Sequence, residues 1–243
     1  MTRNPHRTHL ARGYVLHHYP YRDTSRILEV LTRDSGRMSL FARGVRGPKA
    51  RLAAELQPFR VLLLSFSGKG EAPQLTGAES DGVHTPLPAP CLMAGFYLNE
   101  LLLKLTTRHD PLPAVFDVYH ATLEALKRGA ALEPSLRLFE KRLLGLLGYG
   151  LELDVDAPTG AGIDPDAYYQ LRPGHGLCPV VPGSAGAVSG RSLVSLAREQ
   201  FGAPRELEDA RRLLQAALAH CLDGRELTTR AVARSVARRG SRS

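Results

Sequence analysis

The chain has 243 residues, of which 43% are hydrophobic, so it is long enough to bury one large core or two modest ones. Its start shows no basic stretch followed by an apolar one, and no run of about 18 apolar residues occurs, so neither a secretory signal nor a spanning helix is predicted. We expect a cytoplasmic protein that does not act at a membrane. Cys91, Cys178 and Cys221 form no CxxC pair, which argues against a disulfide framework and a thiolate metal site.

The formal net charge of +8 and the pI near 9.7 favour a polyanionic partner. Residues 1–60 hold 12 Lys and Arg against 4 Asp and Glu, residues 61–224 hold 14 against 19, and residues 225–243 hold 6 against 1. Both ends are therefore basic and the middle is acidic. Net charge alone does not separate DNA from RNA or from an anionic membrane, and an ordinary solvated surface is the alternative reading.

Short apolar runs separated by turn residues fill the first part of the chain. Asp34-Ser35-Gly36 between the second and third runs indicates a hairpin. Five short strands are typical of an OB-type barrel, although an SH3-like barrel has similar spacing. The predicted strands are Tyr14 to His18, Ile27 to Leu31, Met38 to Ala42, Val61 to Phe66 and Gln74 to Ala78. His17 and His18 are expected to place one ring inward and one outward.

A proline-dense stretch, residues 85–90, ends the strand pattern and reads as a linker. Apolar residues then recur at helical spacing, interrupted by a segment rich in Gly, Pro and Asp. The chain is therefore predicted to be α+β, with a five-stranded OB-fold barrel in residues 1–84 and an all-α domain in residues 85–243 that carries a long irregular insert at about 154–190. The predicted helices cover about 92–107, 112–127, 134–147, 192–201, 206–222 and 228–239.

The strongest functional signal is a cationic loop that follows the third strand. Arg43, Arg46, Lys49 and Arg51 lie within nine residues, separated by Gly and Pro, so the loop can follow a phosphate backbone. Aromatic residues interleave with these charges, and exposed rings among them could stack on bases: Tyr14, Tyr19, Tyr21, Phe41 and Phe59. The alternative is a solvated hairpin loop with its aromatic residues in the barrel core.

Two weaker groups of basic residues extend the candidate DNA-binding set. Arg22 and Arg26 flank Asp23 in a short polar segment between the first two strands. Arg230 and Arg234, with Arg238, recur every four residues on the predicted last helix. A solvated helix whose charges complement its own dipole explains this spacing equally well.

Signatures of catalysis are absent from the sequence. It contains no Walker A, GxGxxG, GxSxG or HExxH pattern, and its histidines lack metal-ligand spacing. Asp154, Asp156, Asp164 and Asp166 could be the Mg²⁺ ligands of a nuclease, but their Gly- and Pro-rich surroundings are more typical of turn residues. We expect no enzymatic activity and no cofactor.

Several segments, in order along the chain, resemble the RecO family of bacterial recombination mediators. The most specific lie in the first two strands, in the cationic loop and in the first and third predicted helices. They are Tyr14-Val15-Leu16-His17, Tyr21-Arg22-Asp23-Thr24-Ser25-Arg26-Ile27-Leu28, Arg43-Gly44-Val45-Arg46, Leu56-Gln57-Pro58-Phe59, Phe96-Tyr97-Leu98-Asn99-Glu100-Leu101, Leu147-Gly148-Tyr149-Gly150-Leu151 and Leu193 within Ser189-Gly190-Arg191-Ser192-Leu193.

This resemblance implies an OB fold followed by a helical domain, in a nucleoid-associated DNA repair protein. Members bind single- and double-stranded DNA, anneal complementary strands, and act with RecR, and in many bacteria RecF, to load RecA on DNA coated by single-strand DNA-binding protein. Some members carry a four-cysteine zinc module. The corresponding segment here retains only Cys178, with His175 nearby, so zinc is not carried over.

The resemblance also implies a site for the acidic, apolar C-terminal tail of single-strand DNA-binding protein. Such a ligand needs an apolar pocket with cations at its rim. Arg137, Lys141 and Arg142 are the candidate partner-binding residues, and pairing with Glu133 and Glu140 on a solvated helix is the alternative. For the whole chain, an RNA-binding OB-fold protein of translation or ribosome assembly is the alternative function.

Overall fold

The computed structural model describes residues 7–45 and 51–229, and the side chains of Arg7 and Arg51 lie outside that description. The described residues form two compact units. The first contains residues up to 128 together with 227–229, and the second contains residues 129–226. No helix in the described ranges is long and apolar enough to cross a membrane.

The first unit begins with five strands that close into a barrel, in the order β1-β2-β3-β5-β4. The neighbours are antiparallel except β3 and β5, which run parallel where Phe41 meets Gln74. This order is that of an OB fold, and it confirms the predicted fold of the N-terminal part. The strands are β1 (Arg7–Tyr21), β2 (Ser25–Thr32), β3 (Gly36–Ala42), β4 (Val61–Ser67) and β5 (Gln74–Ser80).

The barrel core consists of alternate apolar side chains of these strands, closed by a short helix, α1 (Arg51–Glu55). Leu52 packs against the core from α1, and Leu56 after it is 1% exposed. The period of two places every second strand residue inside, which is why the sequence pattern predicted the strands correctly. The core residues are Val15, Leu28, Val30, Met38, Leu40, Ala42, Val45, Leu56, Leu62, Leu64, Phe66 and Leu75.

β1 is long because it pairs with two strands in succession. Its first half pairs with β4 and its second half with β2, and the two pairings overlap at Gly13. A Cβ at Gly13 would lie 2.9 Å from Leu64 Cδ1, so the crowded crossing needs glycine. A register shift between Val15 and His17 follows, and both His17 and His18 are exposed. The expectation of one inward histidine ring was wrong, because the hairpin end is exposed at every residue from 17 to 24 and so is open on both faces.

Two helices, α2 (Leu92–Leu105) and α3 (Pro113–Lys127), belong to the same compact unit as the barrel. Asn99 donates to the Leu16 carbonyl oxygen at 2.9 Å, and the Tyr119 hydroxyl donates to Asn99 Oδ1 at 2.5 Å. The buried Tyr14 ring lies edge-on to Tyr119 with centroids 5.0 Å apart. The predicted boundary between residues 84 and 85 lies just after the last barrel strand. The compact units, by contrast, divide after Arg128. The boundary at 84 and 85 therefore stays a prediction.

A buried carboxylate joins the barrel to the segment after α2. Glu29 of β2 is 2% exposed and accepts hydrogen bonds from Ser39 Oγ at 2.7 Å, from Arg37 Nη1 at 2.9 Å and from Arg108 Nη2. Arg37 also donates to the Thr106 carbonyl oxygen at 2.8 Å. Burial by itself raises the pKa of Glu29, but the hydrogen bonds from Ser39, Arg108 and Arg37 outweigh it and hold the pKa below its ordinary value.

The second unit combines three helices with a small sheet that the sequence did not predict. The helices are α4 (Leu132–Leu146), α5 (Gly190–Ala197) and α6 (Pro204–Leu222). The sheet has the order β7-β6-β8 and consists of β6 (Tyr168–Arg172), β7 (Gly176–Val180) and β8 (Val188–Ser189).

The insert is therefore less irregular than expected, and the C-terminal region is helical without being all-α. Its strands have at most five residues, too few to show a clear period of two in the sequence. β6 pairs with both β7 and β8, so each edge of this strand gains hydrogen-bond partners only when the chain folds back. Gly190 packs tightly here, since a Cβ would lie 1.9 Å from the Asp164 carbonyl oxygen.

Two glycines with nearly equal backbone angles provide a test of the β2–β3 turn. Gly36 has φ +69° and Gly44 has φ +70°. A Cβ at Gly36 would lie 2.0 Å from the Asp110 carbonyl oxygen, whereas a Cβ at Gly44 would meet no atom of the described residues within 4 Å. We expect Gly44→Ala to lower the free energy of unfolding by about 1 to 2 kcal/mol from backbone strain. Gly36→Ala should cost about 1 to 3 kcal/mol more because of the clash. Equal losses in chemical denaturation would contradict the close approach.

A second prediction concerns the pH dependence of the stability that the Glu29 carboxylate provides. Because its pKa is lowered in the folded state, its stabilising effect is present above the ordinary glutamate pKa of about 4.3 and is lost as the pH falls through the folded-state value. Glu29→Gln should lower the free energy of unfolding by about 3 kcal/mol at neutral pH. The difference in this free energy between the variant and the unsubstituted protein should shrink below about pH 4. Glu71→Gln, at an exposed position between β4 and β5, is the control. A difference that stays constant with pH would refute this role.

Candidate nucleic-acid interface

Three of the basic residues that are predicted to bind DNA lie together at one edge of the barrel. Arg26 lies opposite Pro20 of β1 on one side and opposite Ala42 of β3 on the other. Arg43 follows Ala42 directly, and Arg22 lies in the turn between β1 and β2. The register of three strands thus brings together Arg22, Arg26 and Arg43, which are separated by up to 21 positions in sequence.

Two arginines at this edge lack the carboxylate partner that most other barrel arginines have. Within the described ranges, neither Arg26 nor Arg43 has a carboxylate oxygen within 4.0 Å, whereas Arg12, Arg33, Arg37 and Arg60 each form an ion pair. Partial burial, together with Arg26 and His17, lowers the pKa of His18 from its ordinary value. The edge carries positive charge because Arg26 and Arg43 have no carboxylate partner in the described ranges, and such an edge suits an anionic ligand.

Exposed aromatic rings lie on the same hairpin as these cations. Tyr19 is 49% exposed and Tyr21 is 39% exposed. The Tyr19 ring meets the edge of His17 at a centroid distance of 4.6 Å, and the Tyr21 ring packs at right angles to Phe41 at 5.5 Å. Arg22 lies over the Tyr21 ring, 5.4 Å from its centroid. By register, Tyr19 and Phe41 lie on one side of the strands and Arg26 on the other, and both sides are open where residues 17–24 are exposed. We call this whole hairpin end the hairpin face: His17, His18, Tyr19, Tyr21, Arg22, Arg26, Phe41 and Arg43.

The other two aromatic candidates belong to the interior. Tyr14 is fully buried and Phe59 is 3% exposed, with its ring 5.0 Å from that of Phe96. The sequence pattern did not separate these rings from Tyr19 and Tyr21. The distinction depends on α2 and α3, which cover one part of β1 and leave the hairpin end open.

Several predicted residues lie outside the described part of the chain. Arg46, Lys49, Arg230 and Arg234 belong to this group, as does the side chain of Arg51. The described residues that precede the C-terminal group are anchored in the first unit. Glu100 accepts hydrogen bonds from the Thr228 amide at 2.7 Å and from the Thr229 amide at 2.9 Å. The basic C-terminal segment therefore starts from the same unit as the barrel.

The predicted partner-binding residues lie on α4 in the second unit. Arg137 is 3% exposed, and its Nη2 donates to Glu140 Oε1 at 2.9 Å. Lys141 donates to the Ala197 carbonyl oxygen at 2.9 Å and to Glu199 at 3.2 Å, and Arg142 Nε donates to Glu199 at 3.3 Å. Lys141 also lines a cavity of about 380 Å³ together with Leu151, Leu153 and Val155.

The described residues contain no cluster of side chains that could bind a metal ion. No group of three or more His, Cys, Asp or Glu side chains there is arranged to hold a metal ion. The three cysteines are free, and Cys178 is buried in β7. Asp156, a candidate nuclease carboxylate, accepts hydrogen bonds from the Thr159 amide and hydroxyl at 2.8 and 2.7 Å, which is the role of a turn residue.

A closed five-stranded barrel of OB order, with cations and exposed rings at one edge, places the N-terminal part of the chain in the OB-fold class. The family described as "Recombination protein O N terminal" matches residues 7–81, and "Recombination protein O C terminal" matches residues 91–231. The chain belongs to the RecO family of DNA repair proteins. The short interval between the two matches contains the proline-dense linker.

Similar proteins extend over nearly the whole chain. "DNA repair protein RecO" of Methylococcus capsulatus is 42% identical over 233 residues, which cover 96% of each chain. The protein of the same name from Pseudomonas paraeruginosa is 44% identical over 217 residues, covering 89% of this chain and 91% of the relative. That of Ralstonia nicotianae is 40% identical over 95% of this chain and 85% of the relative.

Proposed function

We propose that this protein is a non-enzymatic, DNA-binding recombination mediator. The observation that carries the proposal is the hairpin face, where Arg26 and Arg43 have no carboxylate partner in the described ranges and Tyr19 and Tyr21 expose about half of their surface. Cations attract the phosphate backbone irrespective of sequence, and exposed rings stack on unpaired bases. Both features suit a protein that engages DNA at any position.

The same surface accounts for binding to both single- and double-stranded DNA. Phosphate contacts by Arg22, Arg26 and Arg43, extended by Arg46, Lys49 and Arg51, are available with either form. Base stacking on Tyr19 and Tyr21 requires unpaired bases, so it adds affinity for single strands only. The basic residues Arg230 and Arg234 follow residues 227–229 of the same unit in sequence, and they are proposed to add further phosphate contacts.

Strand annealing needs no bond chemistry. Two complementary strands repel each other through their phosphates, and a basic surface lowers that repulsion while the bases pair. The proposed role is to anneal strands and, with RecR and in many bacteria RecF, to promote loading of RecA on DNA coated by single-strand DNA-binding protein. None of these steps assigns a catalytic residue to the chain.

The second unit is proposed to dock the acidic C-terminal tail of single-strand DNA-binding protein. Lys141 lines a cavity together with the apolar side chains of Leu151, Leu153 and Val155 and the carboxylates of Glu152 and Asp154. Arg142 follows Lys141 on the same helix, and two cations beside apolar side chains suit a ligand with apolar side chains and a carboxylate. Arg137 is proposed to support this site from its buried pair with Glu140. Glu199 binds Lys141 and Arg142 in the structure, so an incoming carboxylate would compete with it.

DNA binding through the cationic loop has a quantitative signature. Changing Arg43, Arg46, Lys49 and Arg51 to Gln should weaken binding similarly for all DNA sequences and reduce the slope of log affinity against log salt by about 0.7 to 0.9 per lost contact. Arg33→Gln is the matched control, because Arg33 is already paired with Asp117 at 2.9 Å. An unchanged slope in the fourfold variant would move the interface away from this loop.

The tyrosines separate this proposal from a purely electrostatic one. Tyr19→Leu should weaken single-stranded DNA binding by about 1 to 3 kcal/mol and leave duplex binding nearly unchanged, since stacking is lost and no charge is removed. Equal losses on both substrates would argue against stacking. Tighter binding of RNA than of DNA in direct competition would favour the RNA-binding alternative.

Tail docking is tested at Glu199, because Arg137 is buried and its replacement would disturb the fold. Glu199→Gln should strengthen binding of the acidic tail peptide, since it releases Lys141 and Arg142 from their ion pairs, whereas Arg142→Glu should weaken it at least tenfold. Naked-DNA binding should change little in either variant. Peptide affinity that is indifferent to both changes, measured by fluorescence anisotropy, would place the docking site elsewhere.

A further inference from the structure

A second group of basic side chains lines a cavity at the far end of the β1–β2 hairpin. The cavity has a volume of about 290 Å³ and lies within the first unit. Arg12 of β1, Arg60 before β4, and Lys127 and Arg128 at the end of α3 contribute positive charge, and His84 and His120 add imidazole rings. Val61 and Val83 are the apolar contributors, so the cavity suits a small polar ligand.

The carboxylates around this cavity are already engaged. Asp81 Oδ2 accepts from Arg12 at 2.7 Å, Glu124 Oε1 from Lys127 at 2.9 Å, and Glu55 Oε2 lies 3.0 Å from Arg60 Nη2. Arg128 is exposed and has no carboxylate oxygen within 4.0 Å in the described ranges. The four cations therefore exceed the three carboxylates, and each guanidinium has more donors than the carboxylate it meets can occupy.

Two histidines of the cavity have lowered pKa values, chiefly because they are partly buried. Arg60 and Lys127 also lower the pKa of His84, and Arg12 and Lys127 that of His120, against the opposite effect of Glu124 on both rings. Burial raises the pKa of Tyr14, so this residue stays protonated. The Tyr14 hydroxyl and His120 Nδ1 share a hydrogen bond of 2.6 Å, which holds the imidazole ring in place where it lines the cavity.

We propose that this cavity binds a phosphate group, supplied by a segment of nucleic-acid backbone separate from the one on the hairpin face. Guanidinium, ammonium and imidazole donors from different elements surround a space of the size that a phosphate needs, with few apolar walls. Arg12 is nine residues from Tyr21 along β1, about 30 Å of extended strand, so the two surfaces contact different backbone segments. The nucleic-acid source rests on the proposed function, whereas the phosphate chemistry does not.

The test follows the imidazole signals of His84 and His120 by NMR in the full chain, titrated with inorganic phosphate and with a short oligothymidylate. Both ligands should shift these signals and raise the pKa of both rings, because a bound anion offsets the neighbouring cations. In an Arg60→Gln, Arg128→Gln variant the shifts should disappear, and the oligonucleotide salt slope should fall by about 0.7 per lost contact. A double variant, Arg205→Gln with Arg211→Gln, changes two exposed arginines of the second unit and is the charge-matched control.

The outcomes separate this inference from the proposed function. Oligothymidylate that shifts Tyr19 and Tyr21 but leaves His84 and His120 unmoved at saturation would overturn the phosphate site while the hairpin face stands. If the His84 and His120 signals shift with inorganic phosphate but not with oligothymidylate, the phosphate does not come from a nucleic acid. The cavity would then bind a small phosphorylated ligand. Absence of any response to the oligonucleotide, at the tyrosines or the histidines, would refute the proposed function.

Discussion

The buried Glu29 carboxylate is the constraint on which the arrangement of the first unit depends. It cannot remain charged at 2% exposure without partners, and its partners come from β3 and from the segment after α2. Satisfying this one group therefore fixes the β2–β3 pair against residues 106–108. Gly36 lies at the end of the same pair and allows the turn to approach Asp110. The strand end that carries Arg26 and Arg43 is thereby attached to a rigid frame, which suits a surface that must present cations in a fixed register.

Pairing, more than number, decides which of the many basic residues can meet a polyanion. Arg33 and Arg37 contribute to the net charge as much as Arg26 and Arg43 do, but their carboxylate partners offset them locally. The same distinction applies in the second unit, where Arg137 is consumed by a buried pair and Lys141 and Arg142 share Glu199. When the cations of a binding site are paired in this way, an anionic ligand must compete with the internal carboxylate and displace it.

Much of the fold could be predicted because its elements follow simple periods. The five barrel strands and the helices α2, α3, α4 and α6 lie close to their predicted positions, since apolar residues recur every second residue in the strands and at three- or four-residue intervals in the helices. The sheet of β6, β7 and β8 was missed because five-residue strands carry too little pattern, and they gain their backbone hydrogen bonds only from each other. The exposure of both His17 and His18 was missed because the sequence does not show that residues 17–24 lie open on both faces of the hairpin.

By itself, the sequence determined the basic termini, the barrel and helical classes, and the RecO family, because charge, periodicity and motif order are properties of the chain alone. Only the tertiary structure decided which residues of each type are available. It buried Tyr14 and Phe59 while exposing Tyr19 and Tyr21, paired Arg37 while leaving Arg26 without a carboxylate in the described ranges, and assembled Arg12, His84 and His120 around one cavity. The physical reason is that exposure and charge pairing depend on neighbours distant in sequence, which strand register and helix packing bring into contact.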